Sequence, residues 1–365
     1  MLTTFVVYIT LFFICIGGCY IVTNIRNISN RYCLFFFFIA SIVIGGRYKV
    51  GADWLNYLAL FLDCVNYPFS FSMLEQDGYE PLYMILNYLI VYMGGTPSVF
   101  FATIAFLIFI LLYYSISDDI RKLPLLIFFY FCLYLAFSFN GLRQAISMAV
   151  FFCAVNYIKF SKSKYIVIVT IATLFHYSSA ILYPFVLIDS KVFNVIDKRL
   201  YVIFAYVITL IFSSILLEYF ISWIPLNLLS DKYINNLGSL DQQHELSSGL
   251  GIVAHKIVDI YLIVMYGKVV KDCPCKSYNV YYRCFVVGAL LTNVMGFSIY
   301  LARVPMCLSA LKIYLLTYTC SYLFKSNQTC NRITGCSLML LYLLMFIVQI
   351  LQGSIDLSPF VFQWL

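Results

Sequence analysis

The sequence predicts an all-α, polytopic integral membrane protein with about 10–13 membrane segments, some of them broken or re-entrant. Three observations predict it. Of 365 residues, 63% are hydrophobic and only 11% are charged, and the mean hydropathy is +0.92. Soluble domains carry roughly 25% charged residues, so this chain has too few to cover a globule with polar surface. Its apolar residues also fall in long runs near the length of a bilayer crossing. These features exclude a soluble enzyme, a disordered chain and a free nucleic-acid binder. The net charge of +7 is then read as basic loops on the cytoplasmic side rather than as a nucleic-acid surface.

A crossing needs about 20 apolar residues, within a range of roughly 17–25. The candidates are 2–22, 33–45, 98–115, 124–139, 142–159, 201–222, 251–268, 279–300, 302–323 and 336–352. The first lacks a basic leader and a small-residue cleavage site, and reads as a retained span rather than a signal peptide. Clustered bases mark six loops: Arg26 with Arg31; Arg121 with Lys122; Lys159, Lys162 and Lys164; Lys191, Lys198 and Arg199; Lys268, Lys271 and Lys276; Lys325 with Arg332. Placing all six in the cytoplasm satisfies the positive-inside rule. Both flanks of 165–188 then lie on one side, so that stretch must enter and leave by the same face. Its apolar run breaks only at His176-Tyr177-Ser178-Ser179, which predicts two half-helices with His176 near the tip. One long tilted helix with an interior histidine is the alternative. Segment 81–115 crosses once, with a break at Gly94-Gly95-Thr96-Pro97. Segments 46–80 and 223–250 fall on the outer face, the second carrying Asp231, Lys232, Asp241, His244 and Glu245. No repeat or soluble domain interrupts the chain, so 1–365 reads as a single transmembrane domain. The 13 cysteines lack disulfide or metal-ligand spacing, Cys273 and Cys275 being the one close pair. No metal and no cofactor are expected.

Ionisable residues near membrane depth are costly and mark function by default. Five places hold them. Arg47, Lys49 and Asp53 follow one apolar run and precede another; they read either as a polar lid over a cavity or as a snorkelling loop. Glu80 precedes Pro81, where it either favours a helix N-terminus or meets an arginine or a sugar hydroxyl. Arg143 follows an Asn140-Gly141 turn in the first turn of a helix. A cation there opposes the helix dipole, so an anion is its natural partner, and a guanidinium fork matches phosphate; an interfacial anchor is the alternative reading. His176 suits proton transfer if it faces a cavity, since the ordinary imidazole pKa is about 6.5; a hydrogen-bonded structural histidine is the plainer reading. Arg303 lies between two apolar runs as an anion ligand or an outer-face anchor, and Asp259 and Lys312 lie inside runs where they can pair. On the predicted topology Arg47, Asp53, Glu80, Arg143 and Arg303 share the outer face, and His176 reaches toward them. Three arginines with two carboxylates and a histidine suit an anionic, lipid-linked substrate such as a diphosphate.

The order of these motifs resembles the EpsG/Wzy-type polysaccharide polymerases. The resemblance runs through Arg47, Gly51, Asp53 and Tyr57, then Glu80-Pro81, then Asn140, Arg143 and Gln144, then Phe175-His176-Tyr177-Ser178, and ends at Arg303. Tyr48-Lys49-Val50 departs from it, because small or glycine residues are expected after Arg47. The resemblance implies a membrane-glycosyltransferase-like fold in the bacterial inner membrane, with its active site facing the periplasm. The implied substrate is an oligosaccharide repeat unit on undecaprenyl diphosphate, polymerised into O-antigen or a related surface glycan, with membrane lipid around it and a chain-length co-polymerase as partner. His176 is the first candidate base, with Asp53 and Glu80 as alternatives. Arg47, Arg143 and Arg303 are candidate diphosphate ligands, and Tyr57, Asn140 and Gln144 are candidate substrate contacts. Transfer is expected to need no metal. A transporter or flippase of the same lipid-linked sugar, and an O-antigen ligase, are the rival readings; broken helices and midplane polar residues also suit a transporter.

Overall fold

The computed structural model describes residues 2–25, 28–70, 79–222, 249–296, 301–352 and 357–363. The expected outer-face residues Asp231, Lys232, Asp241, His244 and Glu245 lie outside the described residues, as does Arg26. In chain order the helices are α1 (Leu2–Asn24, with a π turn at Phe13–Gly17), α2 (Cys33–Gly45), α3 (Trp54–Asn66), α4 (Pro81–Tyr92), α5 (Pro97–Ser115), α6 (Leu123–Asn140), α7 (Leu142–Val155) and α8 (Lys162–Phe175). Two 3-10 runs, Tyr177–Leu187 and Lys191–Asp197, lead to α9 (Arg199–Ile211), α10 (Ser213–Ser222), α11 (Leu250–Asp272) and α12 (Tyr278–Met295). The turn Leu301–Arg303, α13 (Met306–Ser309), α14 (Lys312–Lys325) and α15 (Thr329–Leu351) follow. Short strands β1 (Arg47–Tyr48) and β2 (Val361–Phe362) form one antiparallel pair.

The architecture is all-α and polytopic, as expected, but the segments differ in length. Among the described residues six helices are long and apolar enough to cross a membrane: Leu2–Asn24, Pro97–Ser115, Ser117–Asn140, Leu250–Asp272, Met306–Lys325 and Thr329–Leu351. Four apolar helices are shorter: Asn30–Gly45, Pro81–Tyr92, Leu142–Val155 and Arg199–Ile211. A helix of 14 residues covers about 21 Å at 1.5 Å per residue, less than a hydrocarbon core of about 30 Å. The stretch 165–188 is broken where the sequence predicts, since α8 ends at Phe175 and a 3-10 run starts at Tyr177. A sharp bend of 101° comes later, between Leu187 and Lys191. The Gly94–Thr96 break is also present, with α5 starting at Pro97 and forming a span by itself.

The chain forms two compact units. One comprises Met1–Tyr157, Ser163–Ala180 and Leu323–Leu365; the other comprises Ile158–Lys162 and Ile181–Tyr322. The first unit is built on α2, α5 and α6, where Phe37 stacks on Phe109 at 5.0 Å and Phe109 on Phe131 at 6.1 Å. A Cβ at Gly45 would lie 2.6 Å from both the Ser98 carbonyl oxygen and Ala102 Cβ, so only glycine lets α2 end this close to α5. That close approach gathers helix ends. The last turns of α2, α6 and α8 meet the first turns of α3, α4, α5 and α7 there, and β2 ties the chain's final segment in by pairing Phe362 with Arg47.

Candidate functional site

The loop after α2 is fixed by its own side chains. Trp54 is 1% exposed, and its indole N–H donates to the Arg47 carbonyl at 3.2 Å. Gly51 has φ 104° and presses on the α6 terminus: a Cβ there would sit 3.0 Å from Asn140 Oδ1 and from the Phe139 carbonyl oxygen. A glycine is therefore required at this point of the motif. Lys49 has φ 54°, a left-handed conformation that side chains rarely adopt. This is the backbone reason a small residue is expected where this sequence departs from the motif.

The Arg47 guanidinium does not face an open site. It is buried between the rings of Phe101 and Phe139, 4.5 Å from each centroid, and Nη1 donates to the Ile44 carbonyl at 3.3 Å. Among the described residues Nε and Nη2 have no hydrogen-bond partner and are buried, and burial lowers its pKa to about 10. Aromatic faces offset part of the cost of such a buried cation. Asp53 is half-exposed and accepts from Asn56 Nδ2 at 3.3 Å.

Tyr57 holds the next junction. Its hydroxyl donates to the Asn140 carbonyl at 2.7 Å and accepts the Leu142 N–H at 3.1 Å. One phenol thus satisfies two backbone groups where α6 turns directly into α7. That places Arg143 in the first turn of α7, 5.9 Å from the ring centre of Tyr83. Asn140 spends its amide on Ala136 at 3.4 Å, and Gln144 is buried.

Glu80 is where these elements converge. Its carboxylate makes no capping bond to α4, so the helix-start role that the sequence allows is not the one its side chain takes. Arg143 Nη1 donates to Oε2 at 2.6 Å, and His176 Nδ1 lies 2.7 Å from Oε1. The Glu80 side chain is 4% exposed, against 32% for Arg143 and 21% for His176. The carboxylate is sealed while both partners keep open surface. Burial alone raises the Glu80 pKa, but the His176 bond and the Arg143 charge outweigh it and leave it below the usual carboxylate range.

Two serines fix the break that carries His176. Ser147 lies one turn after Arg143 on the same face of α7. Its hydroxyl donates to the Ala172 carbonyl at 2.7 Å and is also hydrogen-bonded to Ser179 Oγ. Those contacts sit on either side of His176, whose own N–H bonds the Ala172 carbonyl at 3.0 Å. The i, i+4 spacing from Arg143 is a signal that sequence reading passed over; the sequence marks Ser179 only as part of the polar break at 176–179, and nothing in it marks Tyr83.

The EpsG family model matches residues 30–362, nearly the whole chain. The chain belongs to the EpsG family. No curated protein and no solved structure matches it. Membership in the EpsG family supports a polysaccharide-polymerase type of role for a multi-pass membrane protein.

The second unit of this EpsG-family chain holds Arg303, half-buried at the end of the turn Leu301–Arg303; Ser298 and Tyr300 beside it lie outside the described residues. It also holds an arginine that sequence reading missed. Arg283, in α12, donates Nε and Nη2 to Asp197 at 3.0 and 2.6 Å, Nη2 to Asn194 at 2.7 Å, and Nη1 to the carbonyls of Ile188 and Ser190 at 3.0 and 3.4 Å. Its donors are consumed in holding the 3-10 runs to α12.

The Glu80 cluster has spare capacity by contrast. With Nδ1 hydrogen-bonded to a carboxylate, a neutral His176 carries its proton there and offers Nε2 as acceptor. Arg143 uses one terminal nitrogen on Glu80, which leaves the rest of its fork for an anion. A base and an anion ligand therefore hang from one buried carboxylate.

Proposed function

We propose that this chain is a glycosyltransferase of the bacterial inner membrane that polymerises undecaprenyl-diphosphate-linked repeat units at the periplasmic face into O-antigen or a related surface polysaccharide. The observation that carries it is the Glu80 carboxylate held by Arg143 and His176. In the transfer, an acceptor sugar hydroxyl attacks the anomeric carbon of the donor chain. The bond from that carbon to the diphosphate breaks, and the diphosphate leaves on its lipid with the electron pair. The hydroxyl proton passes to His176 Nε2, and Glu80 steadies the imidazolium that forms. Arg143 meets the charge that develops on the diphosphate. Asp53 is the alternative base. Arg47 and Tyr57 position this end through the contacts they make, with Asn140 and Gln144 close to the reacting sugars. Charge on the leaving group is carried by arginine, so transfer is expected to survive chelation; activity lost in chelator and restored by Mg²⁺ overturns that part. A co-polymerase that sets chain length is the expected partner.

The test is a glycan gel from a strain lacking the protein, complemented with wild type or Arg143→Ala. A lost ladder with a single repeat unit still attached to its acceptor, restored by wild type alone, supports polymerisation. Loss of even the single unit points to a flippase or an assembly step and overturns the reading. A purified protein that makes single transfers of finished glycan and no ladder is a ligase.

A further inference from the structure

Within the second unit, Arg283 clamps a segment whose three faces are unlike. In the 3-10 run Lys191–Asp197, residues three apart eclipse one another. Lys191, Asn194 and Asp197 therefore form one row, Val192, Val195 and the following Lys198 a second, and Phe193 and Ile196 a third. The first row is held inward, where Asn194 and Asp197 accept from Arg283 Nη2 at 2.7 and 2.6 Å. The third row is half-buried. The second row faces out: Val192 is 80% exposed and Val195 52%. A clamp that fixes the polar row also fixes the direction in which the two valines point.

What covers those valines follows from the bend and the charges. The run is bent by 101° from Tyr177–Leu187, so the two cannot both follow the membrane normal. Tyr177–Leu187 contains no charged residue. The later run, about 14 Å long at 2.0 Å per residue, has Lys191 at one end and Lys198 with Arg199 just past the other, all exposed. Bases at both ends suit a segment lying along the headgroup layer, not one crossing hydrocarbon. Leu200, Tyr201 and Phe204 follow in the chain and begin the exposed apolar side of α9. Lys198 Nζ lies 5.5 Å from the ring centre of Tyr201, the pairing of amine and aromatic expected at a membrane interface. We propose that 191–198 is an interfacial anchor: Val192 and Val195 enter the boundary between headgroups and acyl chains, and Lys191 and Lys198 bind the phosphates of anionic lipids beside them. The carboxylates of this stretch do not oppose that partner, since Asp197 is held by Arg283 and Asp189 lies 3.8 Å from Lys159. No residue of the Glu80 cluster takes part, so the anchor and the polymerase reading stand or fall separately.

The experiment is photocrosslinking of the full-length chain, with p-benzoylphenylalanine in place of Val192, in nanodiscs of phosphatidylcholine containing phosphatidylglycerol as the minor lipid. Adducts are identified by mass. Phospholipid adducts are expected, with phosphatidylglycerol captured about fivefold above its share, the scale of one lysine beside an anionic surface. The same probe at Leu344, on the exposed side of the α15 span, is expected to take both lipids in proportion. Lys191→Gln combined with Lys198→Gln is expected to keep the lipid adducts at Val192, lose the enrichment and leave Leu344 labelling unchanged, while the corresponding pair of arginine substitutions keeps the enrichment. Adducts at Val192 to a second copy of the chain or to another protein overturn the proposal, because the row then docks protein. Absence of lipid adducts at Val192 overturns it too, and so does an enrichment that survives in the double glutamine variant.

Discussion

Two arginine–carboxylate pairs in this chain have the same N–O distance of 2.6 Å and opposite designs. In the Arg283–Asp197 pair the arginine is sealed, 3% exposed, while the carboxylate is 31% exposed. In the Arg143–Glu80 pair the carboxylate is sealed at 4% and the arginine is 32% exposed. Arg283 spreads its donors over two side chains and two carbonyls, which is what a clamp on irregular backbone requires. Arg143 makes one ion pair and lies over a tyrosine ring. The distance of a salt bridge does not distinguish structure from function here; the partner that keeps open surface and unused donors does.

The comparison breaks most sharply in paired alanine variants. Arg283→Ala strands two carbonyls and the Asn194 amide oxygen and leaves Asp197 only the Tyr266 hydroxyl among its described partners, so a loss of about 3 kcal/mol in stability is expected. The readout is a thermal melt of the purified protein in detergent, with activity per folded molecule close to wild type. Arg143→Ala is expected to do the reverse. Polymer formation falls by about 100-fold, the scale of losing one preorganised donor to a developing charge, while the melting temperature falls less than in Arg283→Ala, because His176 still bonds the Glu80 carboxylate. If Arg143→Ala unfolds the protein and Arg283→Ala spares it, the two assignments must be exchanged.

Much of this was legible in the sequence, and the boundary is physical. The all-α membrane class followed from composition, and the breaks at His176 and Gly94–Thr96 followed from polar or turn residues interrupting apolar runs. Glu80, Arg143 and His176 were singled out because charge is expensive in such a chain. Their mutual contact was not legible, since residue 80 reaches 143 and 176 only through the packing of α4, α7 and α8. Arg47 shows the limit most clearly. Its residue type suggested a phosphate ligand, yet the rings that enclose it, Phe101 and Phe139, come from helices whose own sequences read only as apolar. Arg283 carried the same signal as Asp259 and Lys312, a charge inside an apolar run, but its role was not legible because its partners lie in and between 3-10 segments with no periodic signature.

Smaller effects test how the Glu80 end is held. Glu80→Gln keeps the shape and removes the charge. Polymerisation is expected to drop at least tenfold, because a neutral amide steadies an imidazolium poorly, and the KM for the lipid-linked donor is expected to change less than kcat. An equal loss in both marks Glu80 as a binding group instead. Gly51→Ala places a Cβ 3.0 Å from Asn140 Oδ1 and from the Phe139 carbonyl oxygen at a φ of 104°. A cost of about 1–3 kcal/mol follows from strain of this kind, read as a lower melting temperature, with activity recovered on cooling. No change in melting temperature means that the loop yields without strain.

The smallest effect expected is a dependence of stability on acid, and its sign follows from the cluster. The Glu80 pKa in the folded chain lies below its value in the unfolded chain, because the His176 bond and the Arg143 charge outweigh desolvation. A group depressed in this way adds stability that is fully present above the ordinary carboxylate pKa of about 4.3 and is lost as pH falls through the folded value. The gap in melting temperature between wild type and Glu80→Gln should therefore hold steady at neutral pH and narrow in acid, since only wild type has this proton to take up. Arg143→Ala removes one of the two causes and should shrink the gap without abolishing it, because His176 still bonds the carboxylate. A gap that stays constant down to the acid limit of the fold means that the carboxylate gains nothing from its partners. Arg143 and His176 would then be neighbours of Glu80 rather than groups held by it, and the distinction drawn between a sealed carboxylate and its working partners would fail at its first member.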